Sequence, residues 1–240
     1  MKKRWLNMAL VSVVAMALLA GCGGQTGTET SGASGNEAVS EGGSDTSAPE
    51  GNVIKYVMAG EPETLDPNMN NYAASSNVLL NLFTGLYQYT ADGTGVEPAC
   101  AESYTVSEDG LTYTFKLREG LKWSDGSPLT AADFEYSWKR TLKEDTASPA
   151  AFELYVIKNG EAYNYGECTE DEVGVKAIDD TTLEVVLENP TAYFVHLTAA
   201  SNFAPVKKDV VEGADVWTKS ADTYVCNGPF MLAEINPQES

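Results

Sequence analysis

The chain has 240 residues, with 35 Asp+Glu against 15 Lys+Arg and a formal net charge of -20. That balance argues against nucleic acid as a partner, because phosphate backbones are held by clustered Lys and Arg, and against adhesion to anionic headgroups through surface charge. With 43% hydrophobic residues, 10% aromatic residues and four Trp, the chain as a whole has the apolar content to fold.

Lys2, Lys3 and Arg4 form a positive start, and Ala9 to Ala20 is an uncharged apolar run. The run is shorter than the roughly 20 residues a bilayer-spanning helix needs, so residues 1–21 read as a secretion signal. Leu19-Ala20-Gly21-Cys22 places two small residues before a Cys and resembles the lipobox of bacterial lipoproteins. The resemblance implies that Cys22 takes a diacylglyceryl thioether and becomes the mature N-terminus. Two or more acyl chains then give a stable anchor where one gives marginal binding. From Gly23 to Gly51 there are eight Gly and nine Ser/Thr in 29 residues, with five acids and no aromatic, Lys or Arg. A segment so poor in apolar surface cannot offset chain entropy, and residues 22–52 read as a lipidated Cys and flexible tether reaching roughly 30 Å.

Val53 to Ala59 reads as a strand, followed by an irregular polar stretch from Asn68 to Ser76. Val78, Leu79, Leu82, Phe83 and Leu86 recur at helical spacing. Leu111, Tyr113, Phe115 and Leu117 alternate with Thr112, Thr114, Lys116 and Arg118, which makes a half-buried strand. Asp-Gly pairs at 92–93, 109–110 and 125–126 mark turns. Thr130 with Asp133 is a capping pair opening a helix that places Phe134 beside Trp138. Residues 173–177 and 183–187 make a hairpin across Asp179-Asp180. Helices are expected near 152–165, 191–199 and 205–212, and a last strand from Phe230 to Ile235.

Cys100, Cys168 and Cys226 are 68 and 58 residues apart. These spacings match no metal site, and three thiols cannot all pair. One disulfide with a spare thiol remains open beside three buried thiols. His196 is the only histidine, so any Ser-His-Asp, Cys-His or His-rich metal site would have to use it. Its apolar surroundings read as packing. No catalytic residue, metal ligand or cofactor is assigned, and the chain is not expected to be an enzyme.

The motifs carry a resemblance. Ala101-Glu102-Ser103-Tyr104, then Asp109 to Gly120 and Lys122-Trp123-Ser124-Asp125-Gly126, with Pro128 to Arg140, resemble the extracellular solute-binding proteins of oligopeptide and dipeptide ABC importers. Glu61 to Pro67, Gly174 to Asp180 and Asn227-Gly228-Pro229-Phe230 are similar to further motifs of that family, in the family's order. Thr146-Ala147-Ser148-Pro149 resembles the oligopeptide-binding branch. The Trp123 to Gly126 turn reads as structural, burying an indole and closing a hairpin.

The resemblance implies an α/β fold of the periplasmic-binding-protein type (type II, bilobed), closing on its ligand about a hinge. It divides the chain into 53–66 and 173–240, an incomplete first lobe, and 67–172, an extra subdomain packed on it; the second lobe is missing, and the chain reads as an N-terminal fragment. The implied function is a substrate-binding lipoprotein on the outer face of the bacterial cytoplasmic membrane. It would capture oligopeptides and deliver them to ABC permease transmembrane subunits. A dipeptide, signalling peptide, nickel or sugar ligand remains the alternative, as does a surface lipoprotein hydrolase. Contact roles carry onto Asn71, Tyr72 and Ala73, the last through its main chain. Ala150 stands where close relatives have a pocket-lining Tyr. Partners are then the peptide, the permease and, through Cys22, membrane lipid.

Overall fold

The computed structural model describes residues 60–213 and 216–235. Cys22, the tether and the expected strand at 53–59 lie outside the described residues. In chain order the helices are α1 (Ala73–Leu82), α2 (Ala131–Leu142), α3 (Gly160–Asn164), α4 (Phe194–Leu197) and α5 (Lys208–Gly213). The strands are β1 (Tyr87–Tyr89), β2 (Val96–Pro98), β3 (Ala101–Val106), β4 (Thr112–Leu117), β5 (Val175–Asp179) and β6 (Thr182–Val186).

The alternating segment becomes the inner strand β4. It buries Tyr113, Phe115 and Leu117 on one face, as period-2 geometry requires. It lies in a four-stranded antiparallel sheet of order β3-β4-β6-β5. The β5–β6 hairpin turns at Asp180-Thr181, where Asp179 Oδ1 accepts from the Thr181 amide. Turns with positive-φ Gly93, Gly110 and Gly126 fall at the three Asp-Gly pairs. The β4–β6 pairing joins strands from both sides of residues 172/173.

Helix α2 packs on β5 and β6. Its N-terminus carries the expected capping box, Thr130 with Asp133. Its apolar stripe seats Phe134 and Trp138, both fully buried, with ring centroids 6.5 Å apart and nearly perpendicular. Trp138 continues into an aromatic cluster with Phe203 at 5.3 Å and Phe194 at 6.4 Å, and its indole N–H donates to the Phe203 carbonyl. The indole is thus both a packing unit and a satisfied polar group.

Several expectations change. Helix α1 begins at Ala73, inside the stretch read as irregular, and ends at Leu82, so Leu86 belongs to the following core segment. The expected helix at 152–165 is two pieces, a 3-10 turn at Ala151–Leu154 and α3. Asn159 breaks it with φ 59°, and Gly160 allows a close approach: a Cβ there would stand 2.8 Å from the Leu154 carbonyl. The helix expected at 191–199 shortens to the single turn α4. The one expected at 205–212 starts later, at Lys208, after buried Pro205 and Val206. Residues 230–235 form no strand, since no described strand runs beside them. Cys100, Cys168 and Cys226 are free; Cys100 and Cys226 are buried, but Cys168 is partly exposed. Burial pushes the Cys100 thiol up to about 12. His196 is exposed on α4 and not packed as expected, because the buried face of that turn is taken by Phe194 and Val195.

The motif residues at the far end of the chain act as a clamp. The Asn227 side chain accepts from the Thr84 amide at 3.1 Å and donates to the Thr84 carbonyl at 2.9 Å. The Gly228 amide donates to the Leu82 carbonyl at 2.8 Å. A Cβ on Gly228 would lie 2.5–2.7 Å from Leu82 and Phe83 backbone atoms, so only glycine permits this seat at the end of α1. The Trp123-to-Gly126 turn is tied to the same segment, with Ser124 and Cys226 exchanging backbone and hydroxyl hydrogen bonds. Trp123 is buried, as a structural reading of that turn requires. Gly228→Ala is expected to destabilise the fold by about 1–3 kcal/mol, read by urea denaturation; a variant as stable as the parent would show that the clamp yields freely.

Candidate functional site

The site is built on a segment whose polar side chains turn inward before the chain turns out to the surface. Asp66, Asn68 and Asn70 are 6%, 0% and 1% exposed, whereas Asn71, Tyr72 and Ala73 are exposed. Burying three polar side chains so close together is costly unless each is paired. Here each one is. Asp66 caps the 3-10 turn at Pro67–Met69, accepting from the Asn68 amide at 3.0 Å. Arg140, in the last turn of α2, donates to both Asp66 oxygens at 3.0 and 2.7 Å and to Asn68 Oδ1 at 2.6 Å. Asn68 Nδ2 donates to Ser137 Oγ, which in turn donates to the Ala204 carbonyl at 2.7 Å. Ser148, from the Ser-Pro motif, donates to the Asn68 carbonyl.

Asn70 is the last anchor. Its amide donates to Ser76 Oγ at 2.8 Å and Ser201 Oγ at 3.0 Å, and its carbonyl accepts from the Tyr72 amide at 3.0 Å. That last bond sets Tyr72 as the residue from which α1 departs. Asn71, Tyr72 and Ala73 are thus presented outward by a loop fixed from beneath. The Glu63 carboxylate, through hydrogen bonding and charge, raises the Tyr72 phenol above its ordinary range.

The three residues line an open cavity of about 200 Å³. Leu80 and Tyr89 contribute apolar and aromatic surface to it, and Glu153, Ser201 and Asn202 contribute polar groups. Asn202 Nδ2 donates to Glu153 Oε2 at 3.1 Å. Burial raises the Glu153 carboxyl, opposed by that hydrogen bond. A larger recess of about 410 Å³, which includes Glu63, Arg140 and Trp217, also takes Tyr72 into its wall. Ala150 is absent from the cavity wall: it is fully buried beneath the loop, its amide donating to Ser148 Oγ at 3.2 Å. Among the described residues, no group of three His, Cys, Asp or Glu side chains could hold a metal ion, and no helix is long and apolar enough to cross a membrane.

Sequence reasoning did not reach Glu153, Ser201, Asn202 or Tyr89. Glu153 lay inside an expected continuous helix, and 201–202 between two expected helices, so nothing marked them as facing 71–73. The one available signal was the run Asp66-Asn68-Asn70, small polar residues at alternate positions that suit local turn bonding.

Comparison with known proteins points the same way. Residues 95–240 match the family described as bacterial extracellular solute-binding proteins, family 5 Middle. The chain is 40% identical over 234 residues to the oligopeptide-binding protein OppA of Bacillus subtilis, covering 97% of this chain and 40% of that protein. It is 40% identical over 240 residues to the dipeptide-binding protein DppE of the same organism, all of this chain against 42% of that one. Among solved structures, the substrate-binding domain of an oligopeptide ABC transporter from Bacillus anthracis superposes with a TM-score of 0.70 at 44% identity. That match covers 72% of this chain and 33% of the other. The chain therefore spans well under half the length of these relatives.

The ion pair beneath the loop is mostly withdrawn from water, Arg140 with 17% and Asp66 with 9% side-chain exposure. Removing one partner leaves the other buried and uncompensated. Arg140→Met is expected to cost about 3 kcal/mol in chemical denaturation, and Asp66→Asn added to it should restore part of that loss. No recovery in the double variant would mean that Arg140 acts by packing alone.

Proposed function

The chain belongs to the bacterial extracellular solute-binding proteins of family 5, and from that premise we propose that it captures peptides outside the membrane for an ABC importer. The observation that carries the reading is the fixed segment at 71–73, which holds an amide side chain, a phenol and the main chain of Ala73 at the start of α1 on the wall of a cavity. These groups hydrogen-bond the backbone of an extended peptide without reading its sequence, and Tyr72, shared by two recesses, gives such a ligand a path longer than one cavity. Two relatives named for oligopeptide and dipeptide binding support peptide over metal or sugar. Asn71, Tyr72 and Ala73 are the proposed contacts, Ala73 through its main chain.

Capture of this kind makes and breaks no covalent bond; its work is to desolvate the peptide backbone and replace water with fixed partners. The loaded protein would hand its ligand to permease transmembrane subunits. Cys22 would carry the lipid anchor, leaving the acidic domain tethered outside the membrane and kept from anionic headgroups by its own charge. The two-lobe division with an extra subdomain at 67–172 is part of this same reading.

Titration calorimetry of the full-length protein against a short-peptide library tests the ligand class. Micromolar or tighter binding of peptides, weakened about two- to tenfold by Asn71→Ala, is the expected result; a metal or sugar binding where no peptide does would overturn it. For the anchor, radiolabelled palmitate fed to the bacterial host should enter the protein, whereas Cys22→Ser should remain unlabelled and leave the membrane fraction. An equally labelled Cys22→Ser protein would refute the anchor.

A further inference from the structure

Among the described residues, Glu153 is the single charged side chain on the wall of the cavity at 71–73. Among the described residues it has no Lys, Arg or His in salt-bridge range. Its carboxylate is held, however. Asn70 Nδ2 donates to Ser201 Oγ at 3.0 Å, that hydroxyl donates to Asn202 Oδ1 at 3.2 Å, and Asn202 Nδ2 donates to Glu153 Oε2 at 3.1 Å. The relay runs through side chains that are 1%, 6% and 4% exposed, so it is part of the interior and not a surface coincidence. It links the carboxylate to the residue that positions Tyr72.

Only Oε2 is used by this relay. Oε1 has no hydrogen-bond partner among the described residues. Glu153 itself is half-buried, on the 3-10 turn Ala151–Leu154. The acid is therefore partly desolvated, held through one oxygen, and on the wall of a cavity whose described lining holds no counter-charge. A cation arriving there regains for the carboxylate what burial removed, at little ordering cost.

We propose that Glu153 determines specificity in this cavity by pairing with a cationic side chain of the bound peptide, the ammonium of Lys or the guanidinium of Arg. The proposal rests on the peptide reading above and narrows it to ligands that bring a positively charged side chain to this position.

The test uses the full-length protein and tetra-alanine peptides carrying one Lys at each position in turn, beside norleucine counterparts of the same length and shape. The parent protein is expected to prefer Lys over norleucine at one position by about three- to tenfold. Glu153→Gln, which keeps an oxygen for Asn202, should erase that preference, and Glu153→Asp should retain part of it. The position at which Lys is preferred identifies the residue of the peptide that faces Glu153. Peptides that bind with no such preference, or a preference unchanged in Glu153→Gln, would overturn the assignment and leave the peptide reading standing. Failure of every peptide to bind the parent would overturn both. Thermal melts of the two variants close to the parent's would tie the effect to the charge and not to folding.

Discussion

The Asp66–Arg140 pair is the constraint on which the rest of the loop and its cavity depend. A bidentate guanidinium–carboxylate contact sets distance and plane together, which a single ammonium would not. It fixes the end of α2 to the start of the loop, and Arg140's third contact, to Asn68, extends the hold two residues further along. Because these groups are largely withdrawn from water, every one of them must be matched, and the matching recruits Ser137, Ser148 and the Ala204 carbonyl. The loop is held at several points from beneath, and its outward residues are positioned without themselves being buried.

This gives a plain division of labour between the two parts of the molecule. The sheet and α2 form an aromatic core around Trp138, Phe194 and Phe203, which is insensitive to the chemistry at the surface. The polar network lies along one side of that core and converts its rigidity into a fixed rim for the cavity. Trp138 belongs to both, packed among the rings and donating to the Phe203 carbonyl two residues from Pro205. A ligand bound at this rim would spend little of its binding energy on ordering the loop, whose buried polar groups are already paired.

Local chemistry made some elements legible and hid others. The strand Thr112–Leu117, the capping box at Thr130 and Asp133, and the Asp-Gly turns were readable because each is decided by neighbours within a few residues. The helix expected over 152–165 was not, because its break depends on the approach of Gly160 to the Leu154 carbonyl and on the bridge of Ile157 to Leu187. Cys168 and His196 were misplaced for a related reason: their exposure depends on how short turns sit on the core, not on the residues beside them. Asn71, Tyr72 and Ala73 came through resemblance, and they do share one cavity; Ala150 came the same way and is buried.

From sequence alone came the acidic exterior, the apolar N-terminal run with its Cys, the inner strand, the capped helix and the ordered motifs of a solute-binding family. All of these are written in residue type and short spacing. Tertiary structure alone decided which polar residues meet. The bonds from Asn68 to Ser137 and from Asn70 to Ser201 cross 69 and 131 residues of chain, and the second continues through Asn202 to the carboxylate of Glu153 on the cavity wall. Such pairings leave no periodic trace, since they are selected by the cost of burying an unmatched polar group at a place the folded chain itself creates.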